Sequence, residues 1–388
     1  MIYLGIDVAK NKHDICVVDS NANVLLEPFT FYNSVAGFKF LLEKLKPFDL
    51  SDSLFGLEST GHYGENLINF LHKQGFKLGI INPIQTDALR NTNIRKTKND
   101  KIDTKLVAKA LILGNYTPFV PKDLTLLELR SLCRHRDDIL KSRSKLKVRL
   151  VAFTDQLFPE LNYIFNSIHQ KSCYALLAEY PAPTDVCAVR VDKLSNLLRK
   201  ASKGHFGLDK ATKLKELAKS SIGINNSSLS IQIKHSLKQI ELLNEQIDEL
   251  DNKIKEVMDE IASPILSIPG ISYTLGSIII SEIGNIERFS SPCKLLAFAG
   301  LDPTVKQSGT FNATHIKMSK RGSKLLRYAL IKAASITIWN SETFNTYYSK
   351  KISQGKSHNN VVCHVAHKLV RIVFKILKEN INFKEQSI

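Results

Sequence analysis

Carboxylates are in short supply in this chain. It has 37 Asp and Glu against 54 Lys and Arg, a formal net charge of +17. That balance points to a polyanionic partner. Excess lysine from a compositionally biased genome gives the same number, so charge alone separates nucleic-acid binders from bystanders only weakly. Paired cysteines are lacking too. Cys16, Cys133, Cys173, Cys187, Cys293 and Cys363 are scattered with no Cys-x-x-Cys, which excludes a zinc ribbon and a disulfide frame and fits reduced thiols. Cys363, His364 and His367 fall on one predicted helix, but no second ligand pair lies nearby, so they read as packing and surface residues. There is no long hydrophobic run. The longest, residues 275–283, is interrupted by Gly276, Ser277, Ser281 and Glu282, far short of a membrane span. The first residues are strand-like rather than leader-like. These absences predict a soluble, cytoplasmic protein with no membrane partner.

Because carboxylates are scarce, their placement is informative. Asp7 lies in Gly-Ile-Asp-Val-Ala-Lys and Glu58 in Gly-Leu-Glu-Ser-Thr-Gly, each in or at the end of an apolar strand-like run. A carboxylate there needs a partner or a cation. Asp100 and Asp103 are three apart on a helical pattern and share one face. Four hard oxygen donors of this kind suit Mg²⁺ or Mn²⁺, which clamp the attacking and leaving oxygens of a phosphoryl transfer.

The order of elements supports that convergence. Strands are predicted over residues 2–8, 15–19 and 24–31, then a helix over 35–45, a strand over 53–58, a helix over 65–74, a strand over 77–81 and a helix over about 101–113. Three meandering strands followed by alternating helix and strand is the order of the ribonuclease H fold. The fold class expected is α/β plus α, with a ribonuclease H/RuvC-like domain at residues 1–120. A basic helix, helical insertion and coiled-coil region follow at 121–262, and an α-helical domain at 263–388.

Residues 124–161 form one long helical pattern carrying eight Lys or Arg between Arg130 and Arg149. Leu126, Leu129, Leu132, Ile139, Leu146 and Leu150 make its apolar side, which leaves the basic side free to follow a phosphate backbone. Arg130, Arg134, Arg143 and Lys147 are the candidate contacts there, preferred over a merely solvated face. Residues 165–225 are uninformative beyond a helical insertion. From Ile240 to Ile261 a heptad-like seam runs through Leu243, Ile247, Leu250, Ile254 and Val257, with Ile233 and Leu237 out of phase by one. An intramolecular hairpin and an oligomerisation arm explain it equally well. Ile268-Pro-Gly-Ile resembles a helix-hairpin-helix turn, by itself a weak signal.

A second candidate centre is Ser308, in a loop before Gly309 and among Lys306, Lys317, Lys320, Arg321, Lys324 and Arg327. A hydroxyl becomes a nucleophile in an electropositive setting, and cations neutralise charge developing on a phosphodiester. Serine before glycine is more often a plain turn residue. Lys320, Arg321 and Arg327 are further candidate nucleic-acid contacts.

Taken in order, Gly5-Ile-Asp-Val-Ala-Lys10 with His13, Glu58-Ser-Thr-Gly-His-Tyr63, Asn82-Pro83 and Lys96-Thr-Lys-Asn-Asp-Lys-Ile-Asp103 resemble the N-terminal half of the DEDD-type insertion-sequence transposases, relatives of the Piv invertase. Ile268-Pro-Gly-Ile, Glu282-Ile-Gly-Asn-Ile-Glu-Arg-Phe289, Phe298-Ala-Gly-Leu301, Gln307-Ser-Gly309 and Ser319-Lys-Arg-Gly322 resemble its C-terminal half. The resemblance covers roughly residues 1–115 and 263–375 and is weakest at 165–225 and 310–317. It implies a transposase or recombinase acting in the cytoplasm on nucleoid DNA. Asp7, Glu58, Asp100 and Asp103 would hold Mg²⁺, and Ser308 would form a covalent phosphoserine link. The resemblance also implies an element-encoded non-coding RNA pairing with donor and target DNA, and a homo-oligomer, a tetramer in which carboxylates of one subunit face the serine of another. A RuvC-like junction nuclease that uses water remains the alternative. An actin-like ATPase or sugar kinase would need Gly and Thr where Val8-Ala-Lys-Asn11 stands, and a binding protein with a degenerate site would have no need of all five residues.

Overall fold

The computed structural model describes residues 1–58, 63–91, 100–120, 122–303, 307–308, 311–312 and 318–385, with the backbone alone at residues 84, 90–91, 100–101, 122–123, 307–308 and 311–312. The chain divides into two compact units, residues 1–125 and 126–388.

The first unit is built on strands β1 (Ile2–Val8), β2 (Lys12–Val18), β3 (Val24–Tyr32), β4 (Ser53–Glu58), β5 (Lys77–Ile81) and the short β6 (Thr117–Pro118), in the order β3-β2-β1-β4-β5-β6. β1 runs antiparallel to β2 and parallel to β4, and β4 parallel to β5. This is the ribonuclease H strand order, with β1 in the middle of the sheet. Alternation along the strands sorts side chains to two faces. Leu4, Ile6, Val8, Ile15, Val17, Phe55 and Leu57 form a core with Leu41 and Leu45 of helix α1 (Val35–Leu45) and Leu67 and Leu71 of α2 (Glu65–Lys73). Ser34 caps α1, its hydroxyl accepting from Gly37 N at 3.1 Å. Helices α3 (Pro83–Asn91) and α4 (Asp100–Ile112) follow.

α4 lies on the other face, and glycine decides how closely. Gly5 pairs with Gly56 and Gly56 with Gly79, one row across three strands. A Cβ on Gly5 would overlap the Thr104 carbonyl oxygen and stand 2.6 Å from Ala108 N. On Gly56 it would meet Leu111 at 2.7 Å, and on Gly79 the Tyr116 ring at 2.7 Å. The helix therefore rests almost directly on the sheet backbone.

The second unit is helical: α5 (Lys122–Leu157), α6 (Lys171–Glu179), α7 (Pro183–Ala188), α8 (Val191–Ala201), α9 (Leu208–Lys219), α10 (Ser227–Ile261), α11 (Tyr273–Ile283), α12 (Pro292–Phe298), α13 (Lys324–Asn340), α14 (Glu342–Ser353) and α15 (His358–Glu379), with the hairpin β7 (Gln307–Ser308) and β8 (Phe311–Asn312) between α12 and α13. Within it α5 and α10 run antiparallel. Arg136 donates to both Asp251 carboxylate oxygens at 2.6 and 2.9 Å, and Arg143 to Asn244 at 2.7 Å. The heptad-like seam of α10 thus packs within the chain. Its near end, with Ile254 and Val257, shares a core with Leu126, Leu129 and α11 to α15. Its far end joins a separate core of α6 to α9, where Ile233 and Leu237 are buried. The one-residue phase shift, between Leu237 and Ile240, falls inside this second core. Residues 262–388 accordingly share their core with both long helices. Pro269-Gly270 has positive φ at Gly270, and a Cβ there would lie 2.9 Å from Ile336 of α13. That glycine makes room for packing against protein. Among the described residues no helix is long and apolar enough to cross a membrane.

Candidate active site

Two residues along the strands from the glycine row, on the same face, lies a polar row. Asp7 is the register partner of Asp14, and Asp14 of Thr30. Glu58 stands on β4 one step past the pair Ile6 and Leu57. The row therefore reads Glu58, Asp7, Asp14, Thr30 across β4, β1, β2 and β3, with neighbouring Cβ atoms about 5 Å apart. Hydroxyls tie its two ends. Thr30 Oγ1 donates to Asp14, and the buried Thr86 of α3 places its Oγ1 2.8 Å from Glu58 Oε1 and 2.9 Å from the Pro83 carbonyl. Asp103, 8% exposed, sits in the first turn of α4 next to Thr104, whose carbonyl overlies Gly5. Asp100 begins α4 one turn earlier, and its side chain lies outside the described residues.

Asp14, only 7% exposed, is the residue that sequence reading missed. Residues 10–13 read as a turn, and the strand was expected to begin at Ile15. β2 instead starts at Lys12, so Asp14 falls inside the sheet opposite Asp7. Its signal was the alternation His13-Asp14-Ile15, continuous with the strand. His13, by the same alternation, faces the other way, between the rings of Phe31 and Phe38 at 5.3 and 6.4 Å, and burial pushes its pKa down.

Glu58, Asp7 and Asp103 are hard oxygen donors brought to one side of the sheet, the chemistry a divalent cation prefers. Among the described residues, however, no group of three or more His, Cys, Asp or Glu closes tightly enough to hold a metal ion. Cys16, below Asp14 on this face, is driven by burial toward the neutral thiol.

In the second unit Ser308 belongs to the β7–β8 hairpin, paired with Phe311; its side chain and residues 309–310 lie outside the described residues. The base of this excursion is built tightly. Ser319 N donates to Asp302 O at 2.8 Å, Lys320 N to Gly300 O at 3.0 Å and Ser323 N to Phe298 O at 3.0 Å. Gly300 and Gly322 have positive φ, and a Cβ on either would overlap a backbone carbonyl. Beneath the base lies Glu282 of α11, 2% exposed. It accepts from Arg134 at 2.7 and 3.1 Å and from Ser323 Oγ at 2.8 Å. Burial alone would push its pKa up, but these hydrogen bonds and the charges of Arg134 and Arg130 hold it below the usual carboxylate range. Ser323 also caps α13, its hydroxyl accepting from Leu326 N.

This arrangement changes the part of the basic residues on α5. Arg130 donates to Ser281 O at 2.7 Å, Arg134 to Glu282 and Arg143 to Asn244, while Arg327 of α13 donates to Ala299 O at 3.2 Å. Each has at least one donor committed to protein and can offer only the rest of its fork to a phosphate. Lys320 and Arg321 are exposed at the base of the serine segment, and Lys147 is half-buried on α5.

Strand order, with β1 central and a one-sided acidic row, defines the first unit as a ribonuclease H-like domain. Sequence comparison gives the family. Residues 4–159 match the family model DEDD_Tnp_IS110, described as Transposase, and residues 262–349 that described as Transposase IS116/IS110/IS902 family. The chain is similar to the insertion element IS116 44.8 kDa protein of Streptomyces clavuligerus, 22% identical over 97% of this chain and 95% of that one. It is similar also to the pilin gene-inverting protein of Moraxella bovis, 24% identical over 99% and 98%. A likeness to Thermus RuvC solved with a Holliday junction substrate has a TM-score of 0.23 at 12% identity, covering 31% of this chain and 99% of that one. The chain belongs to this family of insertion-sequence transposases and is a DNA transposase/recombinase.

Proposed function

We propose that the protein cuts and rejoins the DNA of an insertion sequence through a serine-linked intermediate. The observation that supports this reading is the polar row beside the glycine row, with Asp7 and Glu58 on the face of a ribonuclease H sheet that α4, the helix of Asp103, covers, in a chain matched by the family in both halves. Asp7, Glu58, Asp100 and Asp103 would hold Mg²⁺, or Mn²⁺ in its place. A bound cation supplies charge neutralisation at the phosphodiester. Thr86 holds the Glu58 carboxylate in place, and α4 carries Asp103 and Asp100 to the sheet. The Ser308 hydroxyl oxygen forms a bond to phosphorus, one P–O bond to deoxyribose breaks, and the displaced oxygen leaves with the proton. Reversal of that exchange with a new DNA hydroxyl rejoins the strand and frees the serine. Lys320, Arg321 and the unused donors of Arg130, Arg134, Arg143, Lys147 and Arg327 meet phosphates. An element-encoded non-coding RNA selects donor and target, and the working form is a homo-oligomer, a tetramer, acting in the cytoplasm on nucleoid DNA.

The test is covalent capture. The protein is incubated with Mg²⁺, the element's junction DNA and its flanking transcript, and a protein–DNA adduct is sought on a denaturing gel. The expected adduct disappears in Ser308→Ala and when the transcript is omitted. Cleavage that survives Ser308→Ala but not Asp7→Ala would instead establish a junction nuclease using water.

A further inference from the structure

The outward face of α13 has no part in the chemistry above. Lys324, Tyr328, Lys332, Ser335 and Trp339 follow at steps of four, four, three and four residues, so they form one stripe along the helix. Tyr328 is 56% and Trp339 71% exposed, and Trp339 is the only tryptophan in the chain. Tyr and Trp pair an apolar ring with a polar edge, which suits a surface that meets a partner in water. Trp339 is braced from one side by Tyr348, ring centroids 6.3 Å apart, and the Tyr348 hydroxyl lies 2.9 Å from His358 Nδ1. The indole is thus held in place with most of its surface open.

Charge identifies the occupant. The 17 residues of α13 include no Asp or Glu, and the nearest acid in sequence is Glu342 in the next helix. Lys324 and Lys332 have no carboxylate partner among the described residues. A second copy of this chain would bring the same lysines against one another. A closed duplex offers phosphates to the lysines but no base face to the rings. We propose that this stripe is a stacking platform for single-stranded nucleic acid. Unpaired bases lie on Trp339 and Tyr328, Lys332 meets the phosphates between them and Lys324 those beyond Tyr328. The proposal rests on the transposase reading for the class of partner only. It requires neither the carboxylates nor the serine.

The experiment uses the full chain in EDTA, so that no strand chemistry enters. Trp339 fluorescence and the anisotropy of a labelled 12-nucleotide probe are read together for oligothymidylate, oligouridylate and a duplex of equal length. Single strands are expected to quench the tryptophan saturably, in step with anisotropy, and to bind more tightly than the duplex. The deoxy and ribo arms tell which strand the surface prefers. Trp339→Ala should weaken single-strand binding by about tenfold, while Trp339→Phe stays within about threefold. Lys332→Ala should make the salt dependence shallower. Binding with an unchanged tryptophan signal would overturn the proposal, as would equal affinity for the duplex. So would a Trp339→Ala protein that binds single strands normally but has a different mass by light scattering. Asp7→Ala and Ser308→Ala should quench like the parent, which keeps failure here distinct from failure of the strand-transfer reading.

Discussion

Glu282 in the second unit and the pair Glu58 and Asp14 in the first are carboxylates held in opposite ways. In the second unit Glu282 is met by a guanidinium fork and the charge of a second arginine, so its negative charge is matched by fixed positive charge. In the first unit Glu58 and Asp14 are held by threonine hydroxyls. A hydroxyl orients a carboxylate without cancelling its charge. The first arrangement suits a helix junction, and the second leaves charge for the proposed cation to meet. Burial alone does not distinguish these two arrangements; the charge of the partner does.

Breaking the comparison at the proposed catalytic end should have the largest effect. Asp7→Ala should reduce strand cleavage by at least about a thousandfold, with an unchanged circular dichroism spectrum. A variant that keeps a tenth of the activity would remove the acidic row from the mechanism.

At the structural end, Glu282→Ala should destabilise the second unit by about 2 kcal/mol, less than a fully buried pair because Arg134 is 60% exposed. Urea unfolding of the parent and the variant measures it. The folded-state pKa of Glu282 is depressed, so its contribution is present above the unfolded glutamate pKa and is lost as pH falls through the lower folded value. Glu282→Gln should therefore flatten the acid limb of the stability–pH curve and leave its slope near neutrality unchanged.

Gly5→Ala tests how the acids are positioned. The added methyl meets the Thr104 carbonyl, and displacing α4 should cost about 1–3 kcal/mol. Activity should fall further than stability does, because Asp103 moves with the helix. The smallest effect is expected from Thr86→Val, which keeps the Glu58 charge and removes its tether. Cleavage at saturating Mg²⁺ should drop about threefold to tenfold, with melting shifted by only a few degrees.

Sequence was most readable where periodicity and chemistry agreed. The strands of the first unit are short apolar runs bounded by turns, and Asp7 and Glu58 stood out against apolar neighbours. Asp14 was hidden because Lys-Asn-Lys-His looks like a turn, and only pairing with β1 makes His13 and Asp14 strand residues. The seam of α10 was visible from Ile240 onward, but its partner was not, since heptads do not say whether the facing helix belongs to the same chain. Arg134 read as a surface cation because nothing near it in sequence announces Glu282, 148 residues away. Long-range pairing of that kind is settled by packing alone. The insertion at 165–225 was opaque because its helices are short and bury their faces against one another, around a core distinct from those of the known motifs.

The row Gly5, Gly56 and Gly79 has a consequence for how such an element decays. Copies of a mobile element accumulate substitutions without selection once transposition has ceased. A copy with Asp7, Glu58, Asp100, Asp103 and Ser308 all in place is expected to be silent if any one of these glycines has become a larger residue. Counting glycines as well as acids should therefore sort live copies from fossils more faithfully than counting acids alone.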